Sequence, residues 1–346
     1  MGLGILPGEL VEAVVTALCV YCSPGEGRCC LNSNCTCLDG DPTDRSRISA
    51  LASLCLTSRK LNAAATRHLY HVLPSRKWSL LARTLLARKD LARLAKALRV
   101  GFCFSADGSH SSPELDSYFS EQLGAYLDSL SSDKRTQIRQ RLPRENLFPE
   151  SNNAALDIMV SLCPNLETLE AILEYLEVFR FCPPNSMPRL QTVVLSHGDT
   201  EGGIHLRNLE PLFLAAPNIT SLTLYMVDER GGIQATLEKL THLDFQCSAF
   251  DAATLASVLA ACPSLESLKY ETGGPTVGYN EFTLPEARDA VLAHAAPSLK
   301  LFRLSAGDND MRDEGWYERD LPEMERVLVG RGIRFEFCPR KGDGSV

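Results

Sequence analysis

A chain of 346 residues with 45% apolar content has enough hydrophobic side chains for one large core or two smaller ones, which excludes an intrinsically disordered polypeptide. Its net charge of -8 argues against nucleic acid as a partner, because gripping a phosphate backbone needs a basic surface that displaces counterions. The first twenty residues are fairly apolar but contain Glu9 and Glu12 and lack a basic leader, so neither a signal peptide nor a membrane partner is expected.

Leu6 stands where a myristoylation signal needs Ser or Thr, so a cytoplasmic or nuclear location is expected. Of the thirteen cysteines, those beyond residue 40 are scattered singly, which is no disulfide framework. They read as reduced, small apolar side chains.

In chain order, Leu6 to Val20 predicts an amphipathic helix, with Pro7 at its start and Leu10, Val14 and Leu18 on one face. Tyr21 to Asp44 has the Gly, Pro, Ser, Asn and Cys content of a loop. Helical spacing returns from Arg45 to Leu56 through Ile48, Leu51, Leu54 and Cys55. Thr57 and Ser58 then cap a third helix running to about Tyr70 through Leu61, Ala65 and Leu69. A further helix is predicted from Trp78 to Arg99, its basic residues on a solvated face. Ala97 to Phe104 reads as a strand, and a polar helical insertion follows over about 105–150.

Beyond residue 160 one phrase recurs: Pro, a polar residue, an aliphatic residue, then alternating apolar positions. Its first aliphatic residues are Leu166, Leu190, Ile219, Leu240, Leu265 and Leu299, with separations of 24, 29, 21, 25 and 34 residues. Most of these gaps lie in the range of leucine-rich repeats, in which a strand points alternate side chains inward and the rest of the repeat returns along the outer face. Thr254 to Ala261 has the expected helical pattern, and Arg326 to Phe337 supplies a closing helix end and strand with Ile333, Phe335 and Phe337 inward.

The segments Leu6-Pro7-x-Glu9-Leu10 and Leu51-x-x-Leu54-Cys55-x-x-Ser58-Arg59-x-Leu61 resemble the F-box motif, and nearly the whole chain resembles a fungal F-box protein with C-terminal leucine-rich repeats. The resemblance implies an α/β fold: an F-box-like three-helix module over 1–75, with a cysteine-rich insertion at 19–44, then an irregular α/β solenoid over 76–346. It also implies that Leu6, Pro7, Leu10, Val14, Leu51, Leu54 and Leu61 serve the contact with a Skp-type adaptor, and through it a cullin. The expected function is substrate recognition in a ubiquitin ligase. The alternative is a repeat scaffold with no link to ubiquitin.

Thr192, Val194, Ser221, Thr223, His242, Asp244, Ser267, Lys269 and Arg303 fall at outward strand positions and are the candidate contacts to an unknown target protein. Cys19, Cys22, Cys29, Cys30, Cys35 and Cys37 put six thiols in nineteen residues. The first pair plus two of the later four can make a tetrahedral zinc site, while a reduced loop without metal or a redox sensor fits the same residues. His68 and His71 could contribute ligands, but two histidines near a helix end more often read as packing and surface residues. Asp308, Asp310, Asp313 and Glu314 lack calcium-loop spacing and read as a solvated loop. No phosphate loop, dinucleotide fingerprint or hydrolase motif occurs, so no catalytic residue and no required cofactor is expected.

Overall fold

The computed structural model describes residues 6–23, 42–74, 78–100, a few positions between 124 and 136, 152–173, 179, 182–198, 202–229, 232–273, 283–295, 297–306 and 315–339. By internal contacts the chain divides into Met1–Ala171 and Ile172–Val346.

The first unit opens with α1 (Gly8–Leu18), entered through Pro7, whose carbonyl accepts from Val11 N at 3.2 Å. The helix turns Val11 and Val15 inward and leaves Leu10 and Val14 52% and 40% exposed. The inward stripe therefore runs one residue later than the Leu10, Val14, Leu18 spacing suggests. Helix α2 (Pro42–Cys55) contributes Leu51 and Leu54 to the same core. Helix α3 (Arg59–Leu69) starts at Ser58, whose hydroxyl accepts from Leu61 N at 3.3 Å, and adds Leu61 and Ala65. Each such buried aliphatic side chain contributes roughly 1.5–3 kcal/mol.

The helix expected from Trp78 to Arg99 is broken into α4 (Trp78–Ala87) and α5 (Lys89–Ala92), and a strand begins at Ala97. The break falls at Arg88, whose backbone leaves the helical region (φ -125°, ψ 73°) and whose carbonyl starts α5 by accepting from Leu91 N and Ala92 N, while its side chain grips the exposed Asp90 carboxylate through two N–H groups at 2.9 and 2.6 Å. Two of the basic residues assigned to the solvated face lie beyond the helices. Lys96 pairs with Glu167 at 3.5 Å and Arg99 with Glu170 at 3.1 Å.

Three parallel strands follow in register: β1 (Val72–Pro74), β2 (Ala97–Val100) and β3 (Thr168–Leu173), with α6 (Asn152–Leu162) ahead of the last. Tyr21, Val20 and Ile48 pack on Val72 and Ala97. This packing explains why the contacts divide at residue 171 and not at 75: the helices and the first strands share apolar surface. The insertion at about 105–150 lies almost wholly outside the described residues.

In the second unit β4 (Thr192–His197), β5 (Ser221–Tyr225), β7 (His242–Phe250), β8 (Ser267–Thr272), β9 (Leu301–Ser305) and β10 (Arg334–Cys338) form a parallel ladder, and a two-residue β6 (Asp228–Glu229) pairs with the end of β7. The returning segments are α7 (Glu210–Ala215), α8 (Ala252–Ala261), α9 (Leu284–His294) and α10 (Gly315–Gly330). The 21-residue spacing between Ile219 and Leu240 is too short for a helix, and the chain returns there through β6 and a turn. Leu166, Leu190, Ile219, Leu240, Leu265 and Leu299 are all buried. Ile333 is buried too, whereas Phe335 and Phe337 on the edge strand are half-buried.

The recurring phrase has a local physical cause. In three copies the polar residue after the proline ties its turn to the turn before: Asn165 Nδ2 donates to Arg93 O at 2.7 Å, Asn218 Nδ2 to Pro188 O at 2.7 Å, and Ser298 Oγ to Leu265 O at 2.9 Å. A backbone signature repeats with it. One carbonyl ahead of several strands accepts two successive N–H groups from the next repeat, as Thr220 O does from Thr241 N and His242 N and Glu266 O from Lys300 N and Leu301 N. His71 O accepts from Lys96 N and Ala97 N in the same way. The repeat geometry thus begins at β1, upstream of any recognisable phrase. Cys163 and Cys262 sit just before repeat prolines, and burial pushes both thiols up to about 12, so they act as apolar spacers.

Candidate metal centre and sheet face

Cys19, Cys22, His68 and His71 place one potential ligand atom each within 4.8 Å of all the others. Cys19 caps the C-terminus of α1, where Ser23 N donates back to Cys19 O at 3.0 Å and folds the Cys-x-x-Cys segment into a turn. Helix ends leave carbonyls without partners. Here Arg47 of α2 supplies them, its Nη2 donating to Ala17 O, Cys19 O and Ser23 O at 2.8, 3.0 and 2.6 Å. The turn that aims both sulfurs is thus clamped from a second helix.

His68 lies in the last turn of α3 and His71 just beyond it, three residues on, so both rings reach the same side. The Cys22 sulfur lies 3.7 Å from His68 Nδ1 and 3.5 Å from His71 Nδ1, and the Cys19 sulfur lies 3.5 Å from His71 Nδ1. Cys19 also donates to the His68 carbonyl at 3.6 Å. The other nitrogen of His68 contacts Glu12 Oε1 at 3.0 Å. Cys19 and His68 are buried, His71 is half-buried and Cys22 is at the surface.

Desolvation by burial, then the neighbouring His68, Lys96 and Arg67, push His71 down to about 4, so its ring is neutral near pH 7. Desolvation and the adjacent Cys19 thiol push Cys22 up to about 11 in the metal-free chain. Tyr21 backs the cluster. Its ring stands edge-on to His71 at 6.1 Å and under Lys96 at 5.2 Å, and its hydroxyl donates to Glu167.

Chemically this is a closed set of two soft and two borderline donors. Sequence reasoning pairs Cys19 and Cys22 with cysteines from the insertion and, while allowing His68 and His71 as ligands, favours packing and surface roles for them. The structure instead brings the histidines to them, because α1 and α3 pack on the same core. Cys29, Cys30, Cys35 and Cys37 lie outside the described residues, as do Asp308, Asp310, Asp313 and Glu314. The His-x-x-His spacing at the end of a capped helix is the sequence signal for this pair.

Of the seven residues assigned to the adaptor contact, Leu51, Leu54 and Leu61 are buried in the three-helix core and Leu6 packs against it half-buried. Pro7, Leu10 and Val14 are exposed.

The nine candidate target contacts fall in two adjacent rows of the second unit. Thr192, Ser221, His242 and Ser267 are successive register partners, and so are Val194, Thr223, Asp244, Lys269 and Arg303. None of the nine is buried. The second row carries the charge: Asp244 and Lys269 lie 4.0 Å apart, and Arg303 reaches Glu336 at 2.5 Å. Burial pushes the Asp244 carboxyl up, against the opposing pull of Lys269. Glu336, the next residue of this row, was missed, although its place between Phe335 and Phe337 marks it as outward.

Compared with protein-family models and with curated proteins, the chain finds no match in either. No helix among the described residues is long and apolar enough to cross a membrane.

Proposed function

We propose that the chain is the substrate-recognition subunit of a Skp/cullin/F-box ubiquitin ligase, acting in the cytoplasm or nucleus. Its first helices bind a Skp-type adaptor, and its sheet face holds the target. The observation that carries this reading is the pair Leu10 and Val14, one turn apart on α1 and both exposed, while their neighbours Val11 and Val15 close the core. Two aliphatic side chains left in water on a short helix suit a helix-docking partner. In this reading Leu6 and Pro7 extend the contact, and Leu51, Leu54 and Leu61 support it from beneath. The mixed-charge row from Asp244 to Glu336 supports a protein target, since charges of both signs complemented by a partner fix register and partner choice. The ligase role itself is one of proximity, the reactive thioester being carried by other subunits.

The test is calorimetric titration of the full chain with a fungal Skp-type adaptor. Wild type binds with submicromolar affinity, and a Leu10→Asp, Val14→Asp variant with unchanged circular dichroism does not. Failure of the wild type to bind transfers the protein to the other class, a repeat scaffold whose helices only cap the array.

A further inference from the structure

We propose that Cys19, Cys22, His68 and His71 bind a single structural zinc ion that pins the end of α1 to the end of α3. The inference rests on the cluster and is independent of the adaptor reading.

The geometry fits the ion. With Zn–S about 2.3 Å and Zn–N about 2.0 Å at tetrahedral angles, sulfur and nitrogen ligands stand about 3.5 Å apart. Three of the four sulfur–nitrogen pairs lie at 3.5, 3.5 and 3.7 Å, and all four ligand atoms lie within 4.8 Å of one another. Two thiolates and two imidazoles favour zinc over the oxygen-seeking magnesium and calcium, and four protein ligands leave no open position for catalysis.

The surroundings do what a zinc site requires of them. Metal-binding histidines donate their second ring nitrogen to an acceptor that fixes the tautomer. Glu12 is that acceptor for His68, at 3.0 Å from Nε2, which leaves the Nδ1 lone pair aimed at the cluster. Arg47 holds the backbone on both sides of Cys22 through Cys19 O and Ser23 O, so the thiols are presented before metal arrives. On binding, the two thiols release their protons to solvent and each imidazole coordinates through a ring-nitrogen lone pair. The site then carries no net charge.

The ion also has a mechanical task. The three-helix core is small, and α1 is joined to α2 by a long polar segment between residues 18 and 42. A cross-link between α1 and α3 restrains the first helix without that segment, because the free energy of binding metal becomes free energy of folding.

The experiment uses the full chain purified without chelator. Metal analysis should return about one zinc per chain. The chelated protein should take up cobalt(II) with the absorption of a tetrahedral two-thiolate site, which added zinc abolishes. His71→Ala should lose the ion. A variant with serine at positions 29, 30, 35 and 37 should keep it. Should the ligand variant fail to fold, Glu12→Gln replaces it: its circular dichroism stays that of wild type while zinc affinity, measured against a chromophoric chelator, falls about 10–100-fold. Protein that retains no zinc, with or without a Cys19–Cys22 disulfide, overturns the proposal. So does zinc that survives His71→Ala but leaves the four-serine variant, and so does an unchanged affinity in Glu12→Gln.

Discussion

The Tyr270 hydroxyl serves two backbone groups at once, accepting from Phe250 N at 3.1 Å and donating to Ser248 O at 2.8 Å. It does so inside a ring cluster, with Phe245 and Phe250 at 4.7 Å and Phe250 and Tyr270 at 5.2 Å between centroids. The arrangement accommodates an irregularity in β7, where pairing slips between Phe245 and Ser248 and Cys247 takes a positive φ of 47°. Tyr270→Phe keeps the ring and orphans a buried donor and acceptor. It should destabilise the protein by about 1–3 kcal/mol, read as a lower urea midpoint at unchanged slope. The outward alternation of Tyr270's strand was legible in the sequence. The bulge was not, because nothing in the Phe245 to Phe250 run marks where a partner strand stops keeping step.

Among elements, α3 carries the most: Leu61 and Ala65 for the core, and His68 for the cluster. Its start depends on Ser58, and Ser58→Ala should cost about 1 kcal/mol, with Ser58→Asp restoring most of it in thermal melts. At the other end of the chain β10 is an edge strand held by charge. Glu336 receives Arg303 Nε at 2.6 Å and also pairs with Arg334. The Arg303 hydrogen bond, then Arg334, holds the Glu336 carboxyl below its ordinary range. A lowered folded-state pKa gives stability that is full above the ordinary glutamate value of about 4.3 and lost as pH falls through the folded value. Amide protection at Phe335 and Phe337, corrected for intrinsic exchange, should therefore drop on acidification in wild type. In Glu336→Gln it should be low and flat with pH. Sequence spacing located β10 well, because a Phe-Glu-Phe alternation encodes which side faces the core. It missed the break at Arg88, where a helical run of Leu and Ala gives no sign that the backbone leaves the helical region.

At the scale of the whole molecule, the proposed adaptor contact and the proposed target contact lie on different residue sets, which makes them separable. Lys269→Glu with Arg303→Glu should abolish capture of a target while leaving adaptor affinity within about twofold, since sites that share no partner residues act additively. Leu10→Asp with Val14→Asp should do the reverse, and pulldowns with each partner check both. The sequence by itself determined the parallel α/β repeat. Side-chain alternation has a period of two, and in three copies the Asn or Ser after the proline bonds to the preceding turn, so strand and turn are both written locally. Only the tertiary structure decided which face of α1 is buried, that the array starts at His71, and which ligands join Cys19 and Cys22. Sulfur and imidazole that lie 46 to 52 residues apart meet because α1 and α3 share a core. Convergence of that kind is a property of packing in three dimensions, to which spacing along one chain is blind.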